Sequence, residues 1–143
     1  MAFNYFDTTH AIQEHDSIID KSGGLMGVSK PEQLDSVIAF VQHDDYYPEF
    51  IDKVVYLFYG INKGHCFVDG NKRASITLTA YFLEINNMDF VVSKFISRME
   101  NIAVHVANNK IDKDLLHKII SSIIYEDDYS EELKLKIYQA LNS

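Results

Sequence analysis

The chain has 143 residues, nearly half of them hydrophobic, with six Gly, two Pro and one Cys, which excludes a disordered or disulfide-stapled chain and predicts one compact domain over residues 1–143. A formal charge of −8 excludes a protein whose main affinity is for nucleic-acid backbones, because that affinity comes from Lys and Arg displacing counterions. No apolar run approaches the roughly 18 residues of a membrane span, and the start MAFNYFDTTHAIQEHD lacks the basic flank and apolar core of a signal peptide; with a lone Cys66, a reducing cytoplasm is expected.

Thr8 or Thr9 is placed to cap a first helix at about 9–21, carrying Ile12, Ile18 and Ile19 and stopped by Gly23-Gly24. GGLMGVSKPEQ reads as a loop, after which Ser29 as cap and Pro31 in the first turn predict a second helix over 31–42. The acidic, aromatic run QHDDYYPEF is a break, and Pro48 opens a third helix over 48–63 that is apolar on most sides. A fourth, from about Ala74 to Ile85, is nearly as apolar and ends at Asn86-Asn87. DFVVS reads as a short strand or extended linker. Lys94–Val106, Lys113–Tyr125 and Ser130–Leu141 have helical spacing with charged outer faces. The expected architecture is an all-α orthogonal bundle of about seven helices, with two apolar helices central and joined by a short polar loop.

That loop is HCFVDGNKR, His65 to Arg73. A polar loop entering a helix N-terminus presents unpaired N–H groups and the positive end of the helix dipole, which together favour an anion. Gly70 allows close approach of a ligand, and Asn71, Lys72 and Arg73 add donors, with Lys63 nearby. Asp69 either caps the helix or holds a Mg²⁺ that bridges phosphates. His65 stands where a base could take a proton from an attacking hydroxyl, and Phe67 anchors the loop in the core. A bland alternative reads Asp69-Gly70 as a hairpin turn, but neither flank alternates as a strand does.

The nine residues resemble the signature of the Fic/Doc family, His-x-Phe-x-(Asp/Glu)-(Ala/Gly)-Asn-(Gly/Lys)-Arg, and match every defined position. HAIQEHDSIIDKSGGLMGVSKPEQLDSVIA is similar to the Doc-type N-terminal segment, so the likeness covers about residues 10–90. The resemblance implies a helical bundle with the signature loop between two central helices. It also implies ATP as substrate with Mg²⁺, His65 as general base toward a protein hydroxyl, Asp69 as metal ligand, and Gly70, Asn71 and Arg73 as phosphate ligands. AMP-transferring members carry Gly where Lys72 stands and a second Arg where Ile76 stands. The Doc branch departs in the same way, and implies transfer of the γ-phosphoryl group to a Ser/Thr hydroxyl on a protein such as elongation factor Tu. Lys72 and Arg73 suit that chemistry, since charge spreads over the oxygens of the moving group. Adenylyl transfer is the alternative, and a non-catalytic binding module is a third class.

Cys66 replaces the Pro that usually follows the signature His, and it reads as a small buried apolar residue rather than a reactive one. Doc-type toxins are neutralised by a separately encoded protein antitoxin, which the resemblance implies here. Ser122 to Glu126 approaches an inhibitory Ser-x-x-x-Glu motif, but its last residue, Asp127, does not fit it. QHDDYYPEF falls where the family places a target-aligning flap.

Overall fold

Local caps set the helix boundaries in the computed structural model, which describes residues 2–143. Helix α1 (Thr8–Ser22) follows Asp7, whose carboxylate accepts the His10 N–H, so the cap lies ahead of the expected threonines; Gly23 at φ 86° ends the helix. Helix α2 (Pro31–Phe40) has Pro31 in its first turn, but its cap position is Lys30 rather than Ser29 and no side chain bonds there. Helix α3 (Phe50–Gly64) starts after Pro48, where Glu49 and Asp52 make a reciprocal capping box. Helix α4 (Asn71–Ile85) is followed by Asn87 in the left-handed region at φ 66°.

The expected strand or linker at DFVVS is helical instead. Asp89–Val91 form a 3-10 turn leading directly into α5 (Val92–Ala107). Valine favours strands only where a pleated surface receives it; here Val91 and Phe95, four residues apart, bury on one helical face, and packing overrides propensity. Helix α6 (Lys113–Tyr125), capped by Asp112, is helical despite four isoleucines, and α7 (Glu131–Leu141) is capped by Ser130.

Helix α3 is the axis of this all-α bundle and packs against α2, α4, α5 and α6. It buries Val54, Val55, Leu57, Phe58 and Ile61, each contributing about 1.5–3 kcal/mol on leaving water. Helix α2 runs back along it, with Val37 against Gly60 and Gln33 against Gly64. A Cβ on Gly60 would stand 3.1 Å from both Val37 methyls, so the missing side chain sets how closely the helices approach. Helix α5 runs alongside α3 in the same sense: Asn62 donates to the Ala103 carbonyl at 3.1 Å, and Lys63 reaches the Ala107 carbonyl and the Asn109 side chain. Helix α6 runs opposite, placing Lys113 over the Tyr59 ring and His117 3.2 Å from Asp52.

The end of α3, the start of α4, the loop between α1 and α2 and the turn between α5 and α6 therefore meet at one end of the bundle. Ser29 and Lys30 donate their N–H groups to the Cys66 carbonyl at 2.9 and 3.0 Å, and Val28 forms an antiparallel bridge with Phe67. No helix among the described residues is long and apolar enough to cross a membrane.

At the opposite end, Lys53 of α3 is 0 % exposed and donates to the Val41 carbonyl at 2.9 Å and to Asp44 at 2.8 Å. Burial pulls its pKa down most strongly, but the bonds to Asp44 and Tyr5 together outweigh that and raise it. One buried ammonium thus holds the turn that follows α2 against α3.

Candidate active site

The signature loop owes its path to one left-handed residue and one amide. His65 closes α3 at φ 50°, ψ 44°, a conformation that costs a non-glycine residue about 1–2 kcal/mol. That turn leaves the His65 side chain exposed and sends Cys66 and Phe67 inward, where both are buried. Asn71, in the first turn of α4, then ties the loop shut: its Oδ1 accepts the Phe67 N–H at 2.9 Å and its Nδ2 donates to the Phe67 carbonyl at 3.0 Å. The chain folds back on itself across four residues, and the Asn71 amide is engaged within the loop rather than pointing outward.

Asp69 lies at the crest of this loop. Its Oδ1 accepts the Gly70 N–H at 2.8 Å and its Oδ2 the Leu25 N–H at 3.1 Å, across from the α1–α2 loop. These two bonds, Leu25's first, hold its pKa below the usual carboxylate value, and the charges of Arg73 and His15 act in the same direction. The carboxylate does not cap α4, whose cap position is Gly70 at φ 73° with no side-chain bond to the helix. The first N–H groups of α4 thus remain available to an anion.

Two glycines shape the space around that carboxylate. A Cβ on Gly24, at φ 123°, would stand 2.6 Å from Asp69 Oδ2 and 3.4 Å from Arg73 Nη2. One on Gly70 would meet Ile19 Cδ1 at 2.9 Å and Arg73 Nη2 at 3.3 Å. Arg73 reaches back to the end of α1, donating to Ser22 Oγ and to the Gly23 carbonyl. Lys72 is exposed, whereas Lys63, grouped with it on sequence, turns toward Asn109.

This donor set fits Mg²⁺ in one specific way. Among the described residues no group of three or more His, Cys, Asp or Glu gathers to cage a metal. Mg²⁺ commonly takes one or two carboxylates, several waters and the phosphates of a nucleotide. Asp69 matches that pattern, being kept ionised by two N–H donors in a cradle that a Cβ at Gly24 would fill.

Cys66 is 0 % exposed and burial pushes its thiol up to about 11, which keeps it protonated and unreactive. His15 was not among the residues that the sequence singled out. It lies on α1, 1 % exposed, its ring stacked on Phe67 at 3.9 Å and 7° and its Nε2 2.5 Å from the Asp69 carbonyl. The available signal was its place midway between buried Ala11 and Ile19 at four-residue spacing, a polar residue on an apolar stripe.

The tyrosines of QHDDYYPEF stand away from the signature loop. Tyr47 packs on Tyr56 at 4.4 Å, and Tyr46 on Phe40 at 5.2 Å; Tyr56 precedes His65 by nine residues of helix, about 13 Å along the axis. The segment that pairs strand-like with the signature loop is Gly27-Val28. Glu126 also belongs to the far end: Lys94 of α5 donates to its carbonyl at 2.5 Å, and the neighbouring Tyr125 lies close enough to Glu49, at the start of α3, for its carboxylate to raise the phenol's pKa, after burial. The Ser122–Glu126 motif is therefore out of reach of Arg73.

Comparison with known proteins places the chain in a family. The chain is 35% identical over 78 residues to the protein kinase doc of Escherichia phage P1, a match that covers 52% of this chain and 61% of that protein. It thus spans about three fifths of the relative's length. A family model described as the Fic/DOC family matches residues 5–83, which hold α1 to α3, most of α4 and the whole signature loop. The chain belongs to the Fic/DOC family.

Proposed function

We propose that the chain is a Doc-like toxin that transfers the γ-phosphoryl group of ATP to a Ser or Thr hydroxyl of a protein. The observation that carries this reading is the start of α4, whose cap position is Gly70 with no side-chain bond to the helix, beside Asp69 and the first-turn residues Lys72 and Arg73. Binding begins with the phosphates on the α4 N–H groups, with Arg73 and Lys72 meeting their charge. Asn71 holds the loop that presents those groups. Asp69 would hold Mg²⁺, which would neutralise phosphate charge.

The exposed His65 imidazole then takes the proton from the target hydroxyl. The hydroxyl oxygen bonds to the γ-phosphorus as the bond from that phosphorus to the ADP oxygen breaks, and ADP leaves with the electron pair. Phosphoryl rather than adenylyl transfer is favoured by Lys72 and by Ile76. The latter is buried in the core, so no second cation stands at the position three residues beyond Arg73. The relative's kinase designation points the same way. A cytoplasmic translation factor such as elongation factor Tu is the first target to test, and a protein antitoxin is the expected regulator, since Glu126 lies far from the site.

The test supplies ATP labelled at either the α- or the γ-phosphate, with Mg²⁺ and candidate target. Label from the γ position on the target is expected. Label from the α position would replace the kinase reading with adenylyl transfer, and neither label would leave a binding module. His65→Ala should abolish transfer while ATP binding, followed by calorimetry, persists; undiminished transfer by that variant removes the general-base role.

A further inference from the structure

Two contacts reach the signature loop from His15 of α1, and a third runs to it from the neighbouring Asp16 by way of Gly27. His15 Nε2 faces the Asp69 carbonyl at 2.5 Å, and a carbonyl only accepts, so Nε2 carries the hydrogen. The other ring nitrogen, Nδ1, lies 3.0 Å from Asp16 Oδ1. That same carboxylate oxygen accepts the Gly27 N–H at 3.2 Å, and the Gly27 carbonyl in turn accepts the Val68 N–H at 3.1 Å. The ring face stacks on Phe67. A histidine that merely filled the core would need none of this directionality.

We infer that His15 is a positioning residue that sets where the Asp69 carboxylate stands; the inference rests on the role proposed for Asp69 above. The physical reason lies in what holds the Asp69–Gly70 peptide. Val68 before it is exposed, and Gly70 after it is the most permissive residue, with Ile19 Cδ1 as its nearest side-chain carbon. The bond from His15 fixes its carbonyl, and the Leu25 and Gly70 N–H groups fix its carboxylate. Removing the first frees the peptide to rotate, which moves the carboxylate away from the other two. His15 itself touches no reacting atom. Outer partners of this kind typically change metal affinity or activity by about ten- to a hundredfold.

Two substitutions separate the ring from its hydrogen bond. His15→Phe keeps an aromatic face for Phe67 and loses the donor; His15→Gln keeps a donor at similar reach and loses the ring. Amide hydrogen exchange at Leu25 and Gly70 reports the Asp69 carboxylate without any nucleotide, and the Mg²⁺ concentration for half-maximal γ-label transfer reports its use. His15→Phe is expected to keep cooperative urea unfolding, to exchange faster at both amides, and to need about tenfold more Mg²⁺. His15→Gln should recover most of both. Wild-type exchange in His15→Phe, or a Gln variant no better than Phe, overturns the inference. If the wild-type chain transfers no label, the proposed function has failed and the exchange result alone still decides the positioning. Should His15→Phe not fold, His15→Leu takes its place in the same comparison with Gln.

Discussion

Replacing Gly24 by Ala should separate a backbone effect from an effect on Asp69, with Gly23→Ala as its control. Both glycines have positive φ, 86° at Gly23 and 123° at Gly24, so an L side chain at either is strained by about 1–3 kcal/mol. For a chain of this length that lowers the melting temperature by roughly 3 °C for each kcal/mol. Here the two positions part. Nothing lies within 4 Å of a Cβ on Gly23, whereas one on Gly24 would stand 2.6 Å from Asp69 Oδ2, which is 0.8 Å inside the 3.4 Å where ordinary contact begins (3.4 − 2.6). The Asp69 side chain is short and bonded at both oxygens, so relief requires the carboxylate itself to retreat. A displacement near 1 Å in a catalytic group can cost on the order of a hundredfold in rate. Urea unfolding and γ-label transfer should be measured on both variants. The expected result is comparable destabilisation from backbone strain, with transfer reduced about tenfold or more further in Gly24→Ala. Equal transfer by the two variants would refute the placement of Asp69 beside Gly24.

Cys66 should resist alkylation in the native state: with a thiol raised from 9.0 to about 11 its thiolate fraction falls about a hundredfold, and labelling should become rapid only in urea. Fast labelling of folded protein would contradict its burial. Asn71→Ala should destabilise by about 2 kcal/mol in urea, since both the N–H and the carbonyl of Phe67 lose their partner, and Asn71→Asp should not restore it, because it keeps the acceptor but sets a carboxylate oxygen against the Phe67 carbonyl. An unchanged midpoint for the alanine variant would show that the loop does not depend on this amide. Asp44 has its pKa lowered by its bond to Lys53 and then by that charge. A carboxylate whose folded pKa lies below its unfolded value of 3.8 contributes stability that is present above that value and lost as pH falls through the folded one. Wild type should therefore exceed Asp44→Asn in urea midpoint at neutral pH and converge with it in strong acid. A gap that persists there would sink the ion pair as its cause.

How much of the site was legible depended on whether the cause was local. The apolar spacing of Val54 to Ile61 and of Ala74 to Ile85 is periodic within one segment, so two central helices with a polar loop between them follow from the sequence alone. The nine residues His65–Arg73 are contiguous and carry their chemical types openly, and the proposal of an anion cradle with a base at its edge rests on those types and their order. The caps lie a residue or so from the expected positions: at α1 the Asp7 carboxylate takes the His10 N–H ahead of the threonines, and at α2 the cap is Lys30, where no side chain bonds. At DFVVS propensity pointed to strand, and burial of Val91 and Phe95 decided for helix.

What only the tertiary structure decided is who touches whom. His15 and Asp69 are 54 positions apart, and Leu25 and Asp69 are 44; no pattern within a window joins them. The same holds for QHDDYYPEF and for Glu126, which α2 and α6, both antiparallel to α3, carry to the end of the bundle away from His65. The sequence by itself determined the helices and the run of polar side chains in one loop, because those arise from neighbours along the chain. The direction in which each helix runs along α3 is a matter of side-chain packing between segments, and that packing chose Gly24, Leu25 and His15 as the surroundings of Asp69.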